Sequence, residues 1–223
     1  MNYKIAIDGP SGTGKSTTAK ILAKKLSFIY IDTGAMYRAV GLYCYRNGID
    51  IDDEGSVVKA LDNIDINIFY KDGNQEIELN GEIVSKDIRE NHISKCASVV
   101  SQYKEVRARL VSLQRALSEK NSVIMDGRDI GTVVLPNAEL KIFLIASDEV
   151  RAKRRCKELA EKGQIVEYEK VLEELKERDT RDSKRANSPL KQADDAILLD
   201  NSNMTIEEVV DKIYELFMKK VGK

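Results

Sequence analysis

The sequence predicts an α/β fold: a five-stranded parallel sheet with helices on both faces, carrying a small inserted antiparallel β subdomain and a helical lid. Three observations lead there. Short apolar runs rich in β-branched residues alternate with stretches of helical periodicity. A central segment breaks that rhythm with strict period-two alternation. Asp8, Asp32 and Asp126 each close a strand-like run, marking the carboxyl edge where open α/β sheets bind ligands.

The first strand, 4–8, runs straight into Gly9-Pro10-Ser11-Gly12-Thr13-Gly14-Lys15-Ser16-Thr17. A glycine-rich turn between a strand and a helix is the arrangement that cradles nucleotide phosphates. The glycines let backbone N–H groups converge on an anion, and the helix that follows adds its positive end. Lys15 supplies a point charge for the β- and γ-phosphates, and the Ser16 hydroxyl can ligate Mg²⁺. The helix starting near Lys15 leads to a second strand, 28–32, and to a helix near Ala35.

The period-two segment runs from 64 to 84: Ile64, Ile66, Ile68, Tyr70, then Ile77, Leu79 and Ile83, with turns at Asp72-Gly73-Asn74 and Asn80-Gly81. Asp-Gly and Asn-Gly are hairpin signals because both central residues must tolerate positive φ. Three strands are about the minimum that holds one packed face. No linker or repeat isolates the segment, so the chain reads as a single domain over 1–223 with an insert at about 60–100 and a lid at about 148–185.

A helix from Lys104 precedes the third strand, 122–126, and the fourth is 140–146. Helices then open near Asp148 and Glu167, and the fifth strand is 196–200. The last helix opens at Thr205-Ile206-Glu207-Glu208, a capping-box pattern.

Composition narrows the class. A 223-residue chain with 42% hydrophobic residues can bury a substantial core, and a formal net charge of −1 argues against a nucleic-acid backbone as main partner. No 18-residue apolar stretch exists, and a strand beginning at residue 4 leaves no room for a signal peptide, so a cytoplasmic location is expected. Cys44, Cys96 and Cys156 have neither disulfide-framework nor zinc spacing. The single histidine, His92, lacks the neighbours that would make it a base.

Arginines gather late in the chain. Arg151, Arg154 and Arg155, and then Arg178, Arg181 and Arg185, have spacings that line one helix face each. In most proteins such runs are solvated faces with intrahelical pairs, as Arg178 and Asp182 at i, i+4 allow. Beside a phosphate-binding loop they have another use. Moving a phosphoryl group onto a second phosphate crowds negative oxygens together, and planar guanidinium groups offset that repulsion without being nucleophiles themselves.

Three further motifs carry a resemblance: Asp32-Thr33-Gly34-Ala35-Met36-Tyr37-Arg38, Asp126-Gly127-Arg128-Asp129-Ile130-Gly131-Thr132-Val133-Val134, and Glu177-Arg178-Asp179-Thr180-Arg181-Asp182 with Asn187-Ser188-Pro189-Leu190. With the phosphate loop they make the chain resemble, over nearly its whole length, the bacterial-type cytidylate kinases among the nucleoside monophosphate kinases, which have the P-loop kinase fold. The insert fits, since that family carries an extra β subdomain beside its monophosphate site. Thr33 stands where serine is frequent, and Ser16 is an alternative that the family allows.

The resemblance implies transfer of the ATP γ-phosphoryl to CMP or dCMP with Mg²⁺ on the donor phosphates. Gly9 to Thr17 would bind ATP. Thr33, Arg38, Arg128 and Arg185 would hold the acceptor phosphate; Ser98, Arg107 and Asp129 would read cytosine; Arg178 and Asp182 would meet the sugar. Lys15, Arg128, Arg185, Arg151 and Arg155 would stabilise the transferring group, the last two from the lid. Ser98 also reads as a plain buried helix serine, Arg107 as a surface partner of Glu105, and Asp129 as a structural partner of an arginine. The expected protein is a monomer acting on ATP and CMP or dCMP, with no nucleic acid or membrane partner. Another small acceptor such as UMP, AMP or shikimate would suit the same framework. A regulatory nucleotide switch would need an Asn-Lys-x-Asp motif, which the chain lacks.

Overall fold

All five predicted parallel strands form, in one sheet of order β2-β6-β1-β7-β8. These are β1 (Lys4–Asp8), β2 (Ile29–Asp32), β6 (Val123–Gly127), β7 (Leu140–Ile145) and β8 (Ile197–Asp200). Helices α1 (Lys15–Leu26), α6 (Asp148–Glu161), α7 (Tyr168–Lys184) and α8 (Ile206–Lys220) accompany them. A second, antiparallel sheet contains β3 (Ile66–Lys71), β4 (Asn74–Leu79) and β5 (Glu82–Ile83), in the order β3-β4-β5. Helices α2 (Thr33–Arg46), α3 (Glu54–Ala60), α4 (Asn91–Val100) and α5 (Lys104–Glu119) surround it in sequence. This computed structural model describes residues 2–71, 74–161 and 163–222. The predicted turn at Asp72-Gly73 lies outside the described residues.

The chain divides into two compact units, Met1–Tyr30 with Lys120–Lys223, and Ile31–Glu119, the boundary falling within β2. In the first unit β1 is central because every residue from Ile5 to Asp8 is buried and only a doubly covered position suits such a run. Its parallel register sets Ile7 opposite Asp126 and Asp8 opposite Gly127, so the ends of β1 and β6 are level. Ile5, Ile7, Ile124, Leu140, Ile142 and Leu144 point to one face, where they pack with Ala19 and Leu22 of α1 and Val209, Ile213 and Phe217 of α8. The predicted capping box opens α8: Thr205 Oγ1 accepts from Glu208 N at 3.2 Å, and Glu208 Oε2 accepts from Thr205 N at 2.8 Å. Helices α6 and α7 form their own apolar seam from Ala152, Leu159, Val171 and Leu175.

Gly9 shows why the loop after β1 begins with glycine. Its φ is +148°, and a Cβ there would lie 2.0 Å from the Leu144 carbonyl oxygen of β7. Backbone cannot yield as a side-chain tip does. Gly9→Ala is therefore expected to lower stability by about 3 kcal/mol or more, read as a drop in Tm.

In the second unit Asp32 caps α2, its Oδ1 accepting from Ala35 N at 3.0 Å, so the helix starts at Thr33 rather than at Ala35. The period-two segment forms the expected meander, and Asn80 and Gly81 both adopt positive φ at the second turn. Ile66, Ile68, Ile77 and Leu79 are buried. Tyr70 and Ile83 depart from the expected alternation and are exposed, Ile83 lying on a two-residue edge strand. Helices α3 and α4 have no counterpart among the predicted elements. Helix α4 seats against α2 at Gly41, where an added Cβ would come within 2.9 Å of Cys96 Cβ. Cys44 and Cys96 are buried, and burial pushes the Cys44 thiol up to about 11, so neither is a reactive thiolate at neutral pH. Among the described residues no helix is long and apolar enough to cross a membrane.

Candidate functional site

The phosphate loop is shaped by its glycines and held from below. Gly14, at φ +86°, is the N-cap of α1 and leaves the first N–H groups of that helix facing the loop. Thr13 is fully buried, and its Oγ1 donates to Pro10 O at 3.2 Å. Lys15 is also buried, with Nζ donating to Pro10 O at 2.5 Å and to Thr13 Oγ1 at 3.2 Å. Burial, reinforced by the Arg128 and Arg178 cations, holds the Lys15 ammonium well below its ordinary pKa, against the opposing pull of Asp126 and Asp8. An anion placed in the loop would relieve that cost. Ser16 and Thr17 are exposed on the first turn of α1.

Ser16 Oγ donates to Asp126 Oδ2 at 2.7 Å, and Tyr30 OH donates to Asp126 Oδ1 at 2.9 Å. The hydroxyl and carboxylate are hard oxygen donors at the end of the loop, which suits Mg²⁺. Among the described residues no three His, Cys, Asp or Glu side chains gather into a metal cage. Asp126 was legible only as an edge marker in the sequence; its place one residue before the end of β6, opposite Ile7 of β1, is what brings it to Ser16.

A second buttress was not foreseen. Asn201, just past β8, is fully buried and donates from Nδ2 to Thr13 O at 2.8 Å. Arg154 donates to Asn201 Oδ1 at 3.0 Å and to its carbonyl at 2.9 Å. A polar residue closing a strand at the carboxyl edge was the only signal.

The arginines of α6 do not act as one face. Arg154 serves Asn201, and Arg155 pairs with Glu158 at 2.8 Å along its own helix. Arg151 is buried, bonds Ser11 O at 2.9 Å and pairs with Asp179 at 2.6 Å and with Asp148. From α7, Arg178 reaches Ser11 Oγ at 3.3 Å, while Asp179 accepts from Ser11 N at 3.4 Å. Arg185 corrects the expectation of a shared helix face. It follows the last residue of α7 in extended conformation, so its guanidinium leaves the Arg178–Arg181 row. Its Nε donates to Ser188 O at 2.5 Å, and its Nη2 lies 3.4 Å from Asp129 Oδ1.

Asp126-Gly127-Arg128-Asp129 leaves β6 and enters a π-helical turn, Ile130–Val134. Arg128 Nε donates to Asp182 Oδ2 at 2.8 Å. Burial alone would raise the Asp182 carboxyl; Arg128 and Arg178 outweigh it and hold the group below its usual range. Asp8 accepts from the N–H groups of Ile130 and Gly131, each at 2.7 Å, and burial pushes its carboxyl up to about 6. In the first unit, then, the phosphate loop, Arg128, Asp129, Arg178, Asp182 and Arg185 line the carboxyl edge of one sheet.

The second unit holds the other predicted residues. Burial would raise the Asp32 carboxyl, but Arg89 at 2.8 Å and Arg38 at 4.0 Å keep it low and ionised. Thr33 is buried on the first turn of α2. Gln75 of the insert grips the Asp32 backbone, accepting from its N–H at 2.8 Å. Ser98 is buried on α4. Arg107 is buried rather than a surface partner of Glu105: its Nη1 donates to Ser101 O at 3.2 Å, and its guanidinium lies over the Tyr37 ring at 5.4 Å. A buried guanidinium on an aromatic face is held flat, which suits recognition of a planar group. His92, exposed beside Tyr45 and Glu90, takes no part.

Comparison with known proteins adds the following. The family model described as cytidylate kinase matches residues 5–219. The chain is 54% identical to a cytidylate kinase of Caldicellulosiruptor saccharolyticus, with 98% of this chain and 96% of that one covered. It is 52% identical to one of Fusobacterium nucleatum, with 100% and 98% covered, and 48% identical to one of Bacillus subtilis, with 97% and 96% covered. Among solved structures, an uncharacterized protein from Eubacterium ventriosum matches with TM-score 0.54 at 14% identity, covering 98% of this chain and 99% of its own. A gluconokinase from Sinorhizobium meliloti matches with TM-score 0.50 at 14% identity, covering 97% and 92%. At that identity these two speak for the fold alone.

Proposed function

The chain belongs to the cytidylate kinase family, and from that premise we propose how its residues carry the γ-phosphoryl group of ATP to CMP or dCMP, giving CDP or dCDP. The observation that carries the reading is a family match over 5–219 in a chain whose phosphate loop, Lys15 and acidic strand ends stand together at one sheet edge.

The loop from Gly9 to Thr17 binds the ATP phosphates through N–H groups, with Lys15 on the β- and γ-phosphates. Mg²⁺ neutralises charge on the donor oxygens when bound, and Ser16 with Asp126 are the residues that would hold it. Arg128 and Arg185 hold the acceptor phosphate, as do Thr33 and Arg38. Arg178 and Asp182 meet the sugar; Ser98, Arg107 and Asp129 read the base. No side chain needs to become a nucleophile, because an acceptor phosphate is already largely ionised at neutral pH. Catalysis is alignment for in-line transfer plus charge stabilisation by Lys15 and the arginines. The α6–α7 pair, within about 148–185, closes over ATP through Arg151 and Arg155 and keeps water from the γ-phosphoryl group. The insert at about 60–100 serves the monophosphate. The protein acts in the cytoplasm as a monomer.

A phosphoryl-transfer assay with ATP and Mg²⁺ over all common nucleoside monophosphates tests the reading, with CMP and dCMP expected to exceed UMP and AMP. An equal or higher rate with AMP would overturn it. Base selectivity gives a sharper measurement. A carboxylate at Asp129 accepts from the cytosine N4 amine and repels the O4 of uracil. Asp129→Asn offers a donor to that O4, so the CMP-to-UMP ratio of kcat/KM is expected to fall by about 1–3 kcal/mol of discrimination. An unchanged ratio would leave Asp129 as the partner of Arg185.

A further inference from the structure

We propose that Asp8 is a positioning residue for acceptor recognition, its carboxylate fixing the turn after β6 in the shape that presents Arg128 and Asp129. The proposal rests on the reading that those two residues bind CMP. Asp8 itself contacts neither the base nor the reacting atoms.

The geometry is specific. Asp8 Oδ1 accepts from Ile130 N and Oδ2 from Gly131 N, both at 2.7 Å, and Asp8 is 4% exposed. The two donors open the π-helical turn Ile130–Val134, whose first N–H groups have no partner within the turn. Asp8 therefore caps that turn from a neighbouring strand. Immediately before the capped residues stands Asp129, at φ −145° and ψ 29°, which belongs to neither a regular strand nor a helix. Its carbonyl accepts from Val133 N and Val134 N at 2.9 and 3.2 Å. The backbone of Asp129 is thus pinned on its C-terminal side by this turn and on its N-terminal side by β6.

Only a carboxylate performs this task. It accepts on both oxygens, whereas an asparagine accepts on one and presses an NH₂ donor against the second N–H. Nor is there slack beside it. A Cβ at Gly131 would lie 3.3 Å from Asp8 Oδ2 and 3.1 Å from Lys141 Cδ. Burial pushes the carboxyl up to about 6, so at neutral pH it is a carboxylate whose two oxygens both accept. Asp8 also feels Lys15 and Asp129 electrostatically, so its effect on the phosphate loop has to be separated from its effect on the turn.

The experiment measures Kd for CMP, and separately for a non-hydrolysable ATP analogue with Mg²⁺, in wild type, Asp8→Asn, Asp129→Asn and the double variant. The expected result is CMP binding weakened at least about tenfold by Asp8→Asn, the range for a buried N–H left without its acceptor. ATP-analogue affinity stays within about twofold, the CMP-to-UMP preference falls, and the double variant loses less than the sum of the singles. A folded Asp8→Asn protein with unchanged CMP affinity overturns the proposal, as does an equal loss of ATP and CMP affinity. If Asp8→Asn does not fold, Gly131→Ala, which crowds the same oxygen, must show the same split; no change, or equal losses, overturns the proposal. Failure of the underlying reading is distinct. It appears as Asp129→Asn and Arg128→Ala proteins that bind CMP like wild type, whatever Asp8→Asn does.

Discussion

Lys15→Ala lowers kcat for CMP phosphorylation by about 10²–10³-fold, or about 2.7–4 kcal/mol, while the protein melts no lower than its parent. The first half follows from where the charge acts. Lys15 lies inside the phosphate loop, bonded to Pro10 O and Thr13 Oγ1, and a cation aimed at migrating oxygens is worth most in the transition state. The second half follows from the cost of holding it there. Burial and two nearby arginines work against the ammonium in the unliganded protein, so removing it relieves an unfavourable charge. Parallel measurements of kcat and Tm check both. Near-native turnover would remove Lys15 from the mechanism, and a collapse in Tm would make it a structural residue.

The second large effect is expected on the acceptor side. Arg128→Ala and Arg185→Ala should each lower kcat/KM for CMP by about 10²–10³-fold with ATP affinity little changed, since both guanidinium groups are assigned to the acceptor phosphate. Arg109 is the control. It donates to Ile64 O at 2.6 Å, so Arg109→Ala should cost about 1 kcal/mol of stability yet leave kcat/KM intact. Arg128→Ala carries a second signature, because it leaves the buried Asp182 carboxylate without its 2.8 Å donor. The cost is about 1.5–3 kcal/mol at neutral pH. The sign with pH is set by Asp182, whose folded-state value is lowered. Its contribution is fully present above the unfolded value of about 3.9 and is lost as pH falls through the lower folded value. The stability gap between wild type and Arg128→Ala should therefore close in acid. Urea titrations at pH 7 and at pH 3 measure it.

Much of this architecture was legible because the signals were local. The parallel strands β1, β2, β6, β7 and β8 were visible as apolar runs, the start of α8 as a capping box, and the Asn80-Gly81 turn as a residue pair suited to positive φ. Helix α4 was legible only in the reading of Ser98 as a buried helix serine, because four of the five residues from Cys96 to Val100 are apolar and read as core. The π-helical turn was invisible because its shape is set by Asp8, distant in sequence, rather than by its own residues. The site divides the same way. The phosphate loop and Lys15 could be placed from spacing alone, since one strand, one turn and one helix suffice to make them. The arginine rows misled in detail, because i, i+3 spacing states a face and not a partner: Arg154 went to Asn201 and Arg185 left the helix. Asp126 beside Ser16 and Asn201 beneath Thr13 needed strand order, which no local pattern contains.

The strand order also has a meaning in time. β1, at the centre of the parallel sheet, is synthesised first, yet its two neighbours, β6 and β7, emerge only once residues 123–145 have been made. A strand without partners has no stable shape. Meanwhile 31–119 is contiguous, with its own antiparallel sheet and helices, and is complete before β6 leaves the ribosome. The phosphate loop and Lys15 are thus translated well before β6 and β7, the strands beside which they acquire their form.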